Sequence, residues 1–212
     1  MNGPNGQAAS CVRVLLVVEG LYDIRFLRRI SATLHAAQPD LPNLADLEAR
    51  QELIFVPIGG GDLAAWSHRL AGLGLPEFHL YDREAPPETA ARQRAADLVN
   101  QRAGCRAALT GKRNLENYLH PAAIRQAHGI ELSYGSQDVV AELAARECYA
   151  ARFASLPWER LPARLRRRLR CRAKLWLNTY AAAAMTPDLL AQRDPDGEVA
   201  GWLRSIAELA GF

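Results

Sequence analysis

Acidic residues directly follow two apolar, strand-like runs of this sequence. Residues 14–18 lead into Glu19 and Gly20, and residues 77–81 lead into Asp82. If the two runs are neighbouring parallel strands, their carboxyl ends meet at one edge of a sheet, which is where open α/β sheets bind ligands. Two carboxylates about 4 Å apart repel each other by roughly 4 kcal/mol at an effective dielectric constant near 20. The pattern therefore predicts a bound cation, and hard oxygen ligands suit Mg²⁺.

Three further acids extend this pattern. Asp23 lies four residues after Glu19, in the first turn of a predicted helix, and would face the same edge of the sheet. Taken alone, Asp23 is better explained as an acid that stabilises a helix N-terminus. Glu84 lies two residues after Asp82, so an extended segment can direct both side chains to one site. Glu116 follows a predicted fourth strand and could complete a metal shell.

Each of these acids also has a purely structural explanation. Asp82 and Glu84 could belong to a polar loop in which Arg83 pairs locally. Metal binding is the better interpretation for this pair, because a charge at the end of a buried strand is otherwise hard to accommodate. For Glu116, the alternative is a surface turn with an Arg–Glu pair that contributes under about 1 kcal/mol.

Glycine and basic residues beside the same strand ends are candidates for phosphate binding. A triple glycine follows the apolar run 53–57, and glycine lets a phosphate approach closely and tolerates positive φ. The helix start beyond it would offer free N–H groups to an anion. The alternative is a flexible turn. Phosphate binding by the glycines is favoured only because acidic strand ends lie on both sides of them. The phosphate ligands predicted in this region are Gly59, Gly60, Gly61, Lys112 and Arg113.

A strongly basic segment lies in the second half of the chain. Residues 163–174 hold six Arg and one Lys without an acid, so they carry +7, and the net charge of +3 leaves 3 − 7 = −4 for the remainder. An apolar stripe at four-residue spacing predicts a helix with one buried face and one arginine face, which can bind a nucleic-acid backbone without reading bases. Membranes or partner proteins are the alternative ligands of such a helix. The stripe is Leu161, Leu165, Leu169 and Ala173, and the predicted nucleic-acid contacts are Arg164, Arg167, Arg168 and Arg172.

Composition places the chain among ordinary globular proteins. It has 212 residues, of which 49% are hydrophobic and 23% charged, enough for one domain with an appendage. The four cysteines are scattered without a CxxC motif, which argues against zinc and against a disulfide framework and favours a reduced, cytoplasmic compartment. No apolar run approaches the length of a membrane span. Residues 1–10 carry no signal pattern and are predicted to form a loose tail.

Strand-like runs alternate with helical patterns up to about residue 120. This order predicts an α/β fold with a parallel sheet of about four strands and right-handed crossovers. From residue 121 onward the pattern is helical, so the expected division is a flexible tail 1–10, a core 11–120 and a helical extension 121–212. The predicted strands are residues 12–18, 53–57, 78–81 and 105–109. The predicted helices are residues 22–37, 62–73, 86–102, 121–128, 137–152, 162–177, a short one capped by Thr186, and 198–210.

Several segments together resemble the TOPRIM domain. This domain is the metal-binding catalytic core shared by type IA and II topoisomerases, bacterial primases, small maturases of ribosomal RNA and the OLD (overcoming lysogenization defect) nucleases. Its pattern is a strand ending in Glu-Gly and a later strand ending in Asp-x-Asp. The matching segments are VVEGLYDIRFL, PIGGGD, LYDRE and KRNLENYL, which cover residues 12–120 and are most similar to the OLD-type subset. The match extends to AKLWLNTYAAAAMTPDLL, in which Lys174 stands where that subset carries a functional lysine.

The resemblance implies a TOPRIM/Rossmann-like fold that binds one or two Mg²⁺ or Mn²⁺ ions. It implies that Glu19 and Asp82 are catalytic and that Lys174 stabilises charge on the scissile phosphate. The second Asp of the motif is Glu84 here, and its longer side chain could still reach a cation. The implied metal ligands are Glu19, Asp23, Asp82, Glu84 and Glu116.

A second departure concerns ATP. OLD nucleases carry an ATPase domain ahead of the TOPRIM part, whereas this sequence contains no GxxxxGK[ST] motif and leaves no room for such a domain. Control by ATP would therefore need a separate ATPase protein.

Three functions agree with these patterns. The first is a divalent-metal-dependent endonuclease or nickase that hydrolyses DNA phosphodiesters. The second is a TOPRIM ribonuclease that acts on structured RNA, and the third is a non-catalytic DNA-binding mediator of recombination or defence. Topoisomerase strand passage is disfavoured, because neither Tyr81 nor Tyr118 is a convincing nucleophile. Nucleic acid, DNA before RNA, is the expected partner, no membrane contact is expected, and a homodimer is left open.

Overall fold

A four-stranded parallel sheet forms the centre of the chain. The computed structural model describes residues 12–59, 62–152 and 156–212. The strand order is β2-β1-β3-β4, with every pair parallel. The register aligns Val18 with Pro57 on one side and with Leu80 on the other. The predicted parallel sheet is confirmed, with strands β1 Val14–Val18, β2 Leu53–Pro57, β3 Glu77–Tyr81 and β4 Cys105–Leu109.

Helices connect the strands and make up the second half of the described chain. Short 3₁₀ turns lie at Ala71–Leu73, Leu115–Tyr118 and Trp158–Arg160. The helices are α1 Leu21–Ala37, α2 Leu44–Ala49, α3 Leu63–Arg69, α4 Glu88–Asn100, α5 Pro121–His128, α6 Val140–Ala150, α7 Ala163–Trp176, α8 Pro187–Arg193 and α9 Glu198–Ala210.

Two of these segments differ from the sequence prediction. Helix α2 was not predicted, because its six residues are too few to reveal a helical period; the side chain of Asn43 caps it by accepting from the N–H of Ala45 at 3.1 Å. The helix predicted over residues 62–73 ends at Arg69, and a 3₁₀ turn continues to the left-handed Gly74. The predicted cap of α8 is present, since Thr186 Oγ1 accepts from the N–H of Leu189 at 3.3 Å.

The sheet is covered by helices on both faces. All five residues of β1 are buried, as expected for a central parallel strand. A small apolar cluster joins Tyr81 and Val17 to α3 and α4 on one face. A much larger cluster on the other face runs from Val14 to Ala210. The helices after residue 120 therefore pack onto the same core as the strands.

Helix α7 continues without a break into a π-helical turn, Leu177–Ala181. Such turns are rare and frequently lie at functional sites. Leu177 and Ala181 are buried in the large core cluster, while Asn178 brings a polar side chain into the interior. Helix α7 has the predicted two faces, with Ala173 buried and the predicted contact arginines exposed. Within the described ranges, none of the helices has the length and apolarity needed to cross a membrane.

A buried polar chain holds the beginning of β3. The ring of His79 donates from Nε2 to Glu77 Oε2 at 2.8 Å and accepts at Nδ1 from the Tyr81 hydroxyl at 2.7 Å. Burial lowers the pKa of His79, so the ring is neutral at pH 7. Arg102 forms an ion pair with Glu77, whose side chain is fully buried. Burial opposes the ionisation of Glu77, but its hydrogen bonds from Arg102 and His79 prevail, so the pKa of this carboxyl lies below its usual value.

Replacing Arg102 with leucine leaves the Glu77 carboxylate buried without its cation. We expect Arg102→Leu to lower the free energy of unfolding by about 3–5 kcal/mol, the usual cost of breaking a buried ion pair. Arg106→Leu is the matched control, since the Arg106–Glu208 pair is exposed and such pairs contribute at most about 1 kcal/mol. Urea denaturation measures both variants, and equal losses would contradict a special role for the buried chain.

Candidate active site

The carboxyl ends of β1 and β3 bring Glu19 and Asp82 together. The two strands are direct neighbours and run in the same direction. The backbone N–H of Asp82 donates to Glu19 Oε1 at 3.1 Å. The predicted juxtaposition of these two strand ends is therefore present in the fold.

Asp82 is held in place by the segment that follows β4. Its side chain is buried, and Oδ1 accepts from the N–H of Leu115 at 3.1 Å. Asn114 Nδ2 donates both to Asp82 Oδ2 at 2.9 Å and to Glu84 Oε1 at 3.0 Å. Glu84 has a φ of +52°, a left-handed conformation that is uncommon for residues other than glycine. Asn114 thus links the two acids of the Asp-Arg-Glu segment and fixes their separation.

Asp23 joins this group from the first turn of α1. Its Oδ2 accepts from the N–H of Gly20 at 2.7 Å. Burial, and then the negative charges of Glu116 and Glu19, raise the pKa of Asp23 to about 7. Burial also raises the pKa of Asp82 well above its usual value, and the negative charges of Asp23, Glu116 and Glu19 add to this increase. The acids from four segments of the chain therefore share one electrostatic environment.

Lys174, in the last turn of α7, places an ammonium group beside this cluster. Its Nζ lies 3.8 Å from Glu116 Oε1. The charge of Glu116 raises the pKa of Lys174 against the opposing effect of burial, and Asp82 and Asp23 add to the increase. The ammonium group is therefore charged across the physiological range.

Asn178, in the π-helical turn, forms hydrogen bonds to both members of the Lys174–Glu116 pair. Its Nδ2 donates to Glu116 Oε1 at 2.8 Å and to the carbonyl of Lys174 at 2.9 Å. Its Oδ1 is buried and has no hydrogen-bond partner within the described residues. Because Nδ2 faces two acceptors, the amide orientation is defined.

Glu19 has a second partner besides the backbone of Asp82. Arg92, on α4, donates from Nε to Oε1 at 2.9 Å and from Nη2 to Oε2 at 3.1 Å. Among the residues that the structure describes, no three His, Cys, Asp or Glu side chains are grouped as the ligands of one metal ion. Metal binding by these acids therefore remains a prediction.

Glu19, Asp23, Asp82 and Glu84 border an open hollow of about 690 Å³. Arg25, Arg167 and Lys174 line the same hollow, so positive groups face the acids across it. The predicted contacts Arg164, Arg168 and Arg172 are exposed on α7 but lie outside this hollow. Glu116 is buried beneath Lys174 and does not line it.

The predicted phosphate ligands divide into two groups. Gly59 lines the hollow with a φ of +73°, and its N–H donates to the carbonyl of Glu19 at 3.0 Å. Lys112 and Arg113 do not line it. The ammonium of Lys112 lies 5.2 Å from the centre of the Tyr118 ring, and Arg113 contacts Glu84 at 3.4 Å. Their role in phosphate binding therefore stays a prediction. Gly60 and Gly61 lie outside the described residues.

Sequence reasoning did not identify four residues that shape this site. Asn114 lies inside the KRNLENYL segment and could have been found there, since an amide between two acids is a natural bridging donor. Arg92 and Asn178 carried no local signal, because their partners Glu19 and Glu116 are far away along the chain. Arg25 stood out from no pattern of its own segment.

Comparison with known proteins gives few matches. No protein-family model matches the chain, and no curated protein matches its sequence. A structure of the C-terminal region of the Xanthomonas campestris pv. campestris OLD protein, phased with iodine, has a TM-score of 0.49 and 15% identity and covers 94% of this chain and 98% of that chain. A second structure of that region, phased with platinum, has a TM-score of 0.49 and 16% identity, with 94% of each chain covered.

Removing one charge from the acid cluster should stabilise the protein at high pH. Because the pKa of Asp23 is raised from 3.8 to about 7, the folded state holds a proton that the unfolded state has lost between these values. The contribution of Asp23 to stability therefore falls as pH rises through that window. We expect the free energy of unfolding of Asp23→Asn, relative to that of the unaltered protein, to rise by about 1–3 kcal/mol between pH 5 and pH 8.

Urea denaturation at both pH values tests this expectation. The exposed Asp40 provides the control, since Asp40→Asn should change stability little at either pH. A loss of stability at pH 8 in Asp23→Asn would show that Asp23 is held by attraction and not by repulsion.

Proposed function

We propose that this protein is a divalent-metal-dependent phosphodiesterase that cleaves or nicks DNA. The observation that carries the proposal is the contact between strand ends, in which the N–H of Asp82 donates to Glu19 Oε1 at 3.1 Å. This contact gathers acids from separate segments beside the Lys174 ammonium, in a hollow that is open to solvent. The resemblance of the sequence to TOPRIM domains points to the same chemistry.

The donor set suits Mg²⁺ or Mn²⁺ by its chemistry. All of its donors are oxygens, and burial together with neighbouring acids raises the pKa of both Asp23 and Asp82. A cation relieves that repulsion. Asp23, Asp82 and Glu19 would hold the ion, with Glu84 beside them on the hollow. When bound, such an ion activates water and stabilises the leaving oxygen of a phosphodiester.

The basic side chains would bind and orient the substrate. Lys174 carries a fixed positive charge against the acids and would contact the scissile phosphate. Arg167 and Arg25 line the hollow and would hold neighbouring phosphates. The exposed arginines of α7 continue this basic surface, and phosphate contacts of this kind position a strand without reading its sequence. Glu19 would act as a ligand or as a base once Arg92 releases one of its oxygens.

A covalent tyrosyl mechanism is a poor alternative for this site. Tyr81 and Tyr118 are both fully buried, and burial raises the pKa of each hydroxyl. Both hydroxyls also contact internal partners, His79 and Glu198. Hydrolysis by activated water is therefore the reaction that these residues favour.

A non-catalytic DNA-binding role is the second candidate. Two observations favour it: Arg92 holds both oxygens of Glu19, and the described acids are not grouped as metal ligands. In that case α7 would bind DNA, and the acids would serve the fold alone. A mediator of this kind binds DNA with steep salt dependence but has no activity with any divalent ion.

Plasmid nicking separates the two candidates. We expect conversion of supercoiled DNA to the nicked form with Mg²⁺ or Mn²⁺ and none with EDTA. Asp82→Asn should reduce the rate at least about 100-fold, because it removes the central carboxylate. Glu131→Gln is the control, since Glu131 is exposed and pairs with Arg125 away from the hollow. Equal nicking by Asp82→Asn would refute the proposed site.

The same assay should include a folded RNA of matched length. Faster cleavage of RNA than of duplex DNA would replace the proposed substrate with the RNA alternative. Binding of DNA without cleavage under any of the divalent ions tested would favour the mediator.

Metal affinity should depend on pH through Asp23. Because the pKa of this carboxyl is about 7, a proton competes with the ion below that pH. We expect the Mn²⁺ dissociation constant, measured by titration calorimetry, to be about tenfold higher at pH 6 than at pH 8. Asp23→Asn should bind more weakly at pH 8 and lose most of this pH dependence. An affinity that is constant across the range would rule out Asp23 as a ligand.

A further inference from the structure

A second pocket lies between α5, α6 and α7. It has a volume of about 440 Å³ and is mostly apolar and aromatic. The residues that define it here are His128, Cys148, Arg172, Trp176 and Tyr180. None of these residues lines the acidic hollow, so the pocket is a separate feature of the molecule.

Helix α7 stands between this pocket and the hollow. Lys174 lines the hollow, while Arg172 and Trp176 line the pocket. Two residues along an α-helix correspond to a rotation of about 200°, so these side chains point to opposite sides of a rod about 10 Å wide. Leu175 is 40% exposed and lines both cavities. The surface from the acids to the pocket is therefore continuous over Leu175.

A stripe of flat side chains runs along the pocket. Arg172, Trp176 and Tyr180 follow one another at four-residue spacing and share one side of the helical segment. The Trp176 ring is held from one side by His128, with 4.4 Å between the ring centroids. Tyr180 is 68% exposed, so its ring is accessible to a ligand at the mouth of the pocket. The half-buried thiol of Cys148 adds a small apolar wall.

The rim of the pocket is positive. Arg152 and Arg172 are both exposed and both line it. A flat apolar interior beneath guanidinium groups matches a ligand that is aromatic at one end and anionic at the other. A nucleotide has this construction, since every base has a π-face and every base is attached to a phosphate.

We propose that this pocket receives one unstacked nucleobase of the DNA strand whose neighbouring phosphate lies in the acidic hollow. This inference rests on the proposed function. The strand would cross α7 over Leu175, with the base against the exposed Tyr180 ring, above a pocket wall that includes the buried Trp176, and its phosphate against Arg172. Because an unpaired base is the easiest to extrude from a duplex, the preferred substrate is DNA that carries a bulge, a mismatch or a single-stranded end.

Binding of short fluorescent duplexes in EDTA tests the pocket without cleavage. One duplex carries a single unpaired adenosine, and its partner carries an abasic residue at the same place. By fluorescence anisotropy we expect the unaltered protein to bind the first about tenfold more tightly, the effect of stacking one base on an aromatic side chain. Tyr180→Ala should reduce this preference to under about twofold, whereas Tyr180→Phe, which keeps the ring, should retain it.

Arg168→Ala is the matched control on the same helix. Arg168 is exposed but does not line the pocket, so its loss should weaken both duplexes equally and leave the preference unchanged. Thermal melts check that each variant is folded. Because the Tyr180 side chain is exposed, its replacement should not change the melting temperature. Equal binding of the two duplexes by the unaltered protein would overturn the proposal, and so would a preference that survives Tyr180→Ala.

Failure of the pocket and failure of the proposed function give different results. Nicking that requires Asp82, without a preference for the unpaired base, would remove the pocket and leave the nuclease. A preference that depends on Tyr180, without nicking under any divalent ion, would remove the nuclease and leave a protein that binds distorted DNA.

Discussion

Repulsion among acids at the carboxyl edge of the sheet is the constraint on which the rest of the structure depends. Parallel strands place Glu19 and Asp82 side by side, and α1 adds Asp23. In a partly buried site such charges are costly unless each has a partner. The raised pKa of Asp23 and Asp82 expresses that cost directly. The proximity of these acids opposes folding when they are charged.

The surrounding segments compensate for this repulsion, each from a different part of the chain. Asn114 donates to Asp82 and Glu84, Arg92 to Glu19, and Lys174 lies against Glu116. These groups hold the acids at defined positions without removing their charge. The helices after residue 120 therefore belong to the site as much as the strands do, because α7 supplies the ammonium group and the π-helical turn supplies the amide beneath it.

Helix α7 also joins the two cavities of the protein. Lys174, on one side of the helix, lines the acidic hollow, and Trp176, on the other side, lines the apolar pocket. Ala173 and Trp176 of α7 are buried in the core. The packing of these residues fixes which side of α7 faces the hollow and which side faces the pocket. If a DNA strand binds along this helix, the helix would fix the distance between the phosphate in the hollow and the base in the pocket. A helix holds such a distance more precisely than a loop does.

The sequence by itself determined the parallel sheet, its four strands and the arrival of Glu19 and Asp82 at one edge, because strand–helix alternation and the acids after each strand are local patterns. It also determined the two faces of α7 through the four-residue spacing of its apolar residues. The sequence did not reveal the short helix α2, because six residues are too few to show a helical period. Only the tertiary structure decided that Arg92 meets Glu19 across 73 residues and that Asn178 meets Glu116 across 62. It also placed Lys112 beside the Tyr118 ring and Arg113 against Glu84. Contacts between distant segments depend on how helices pack, and no spacing along the chain records that packing.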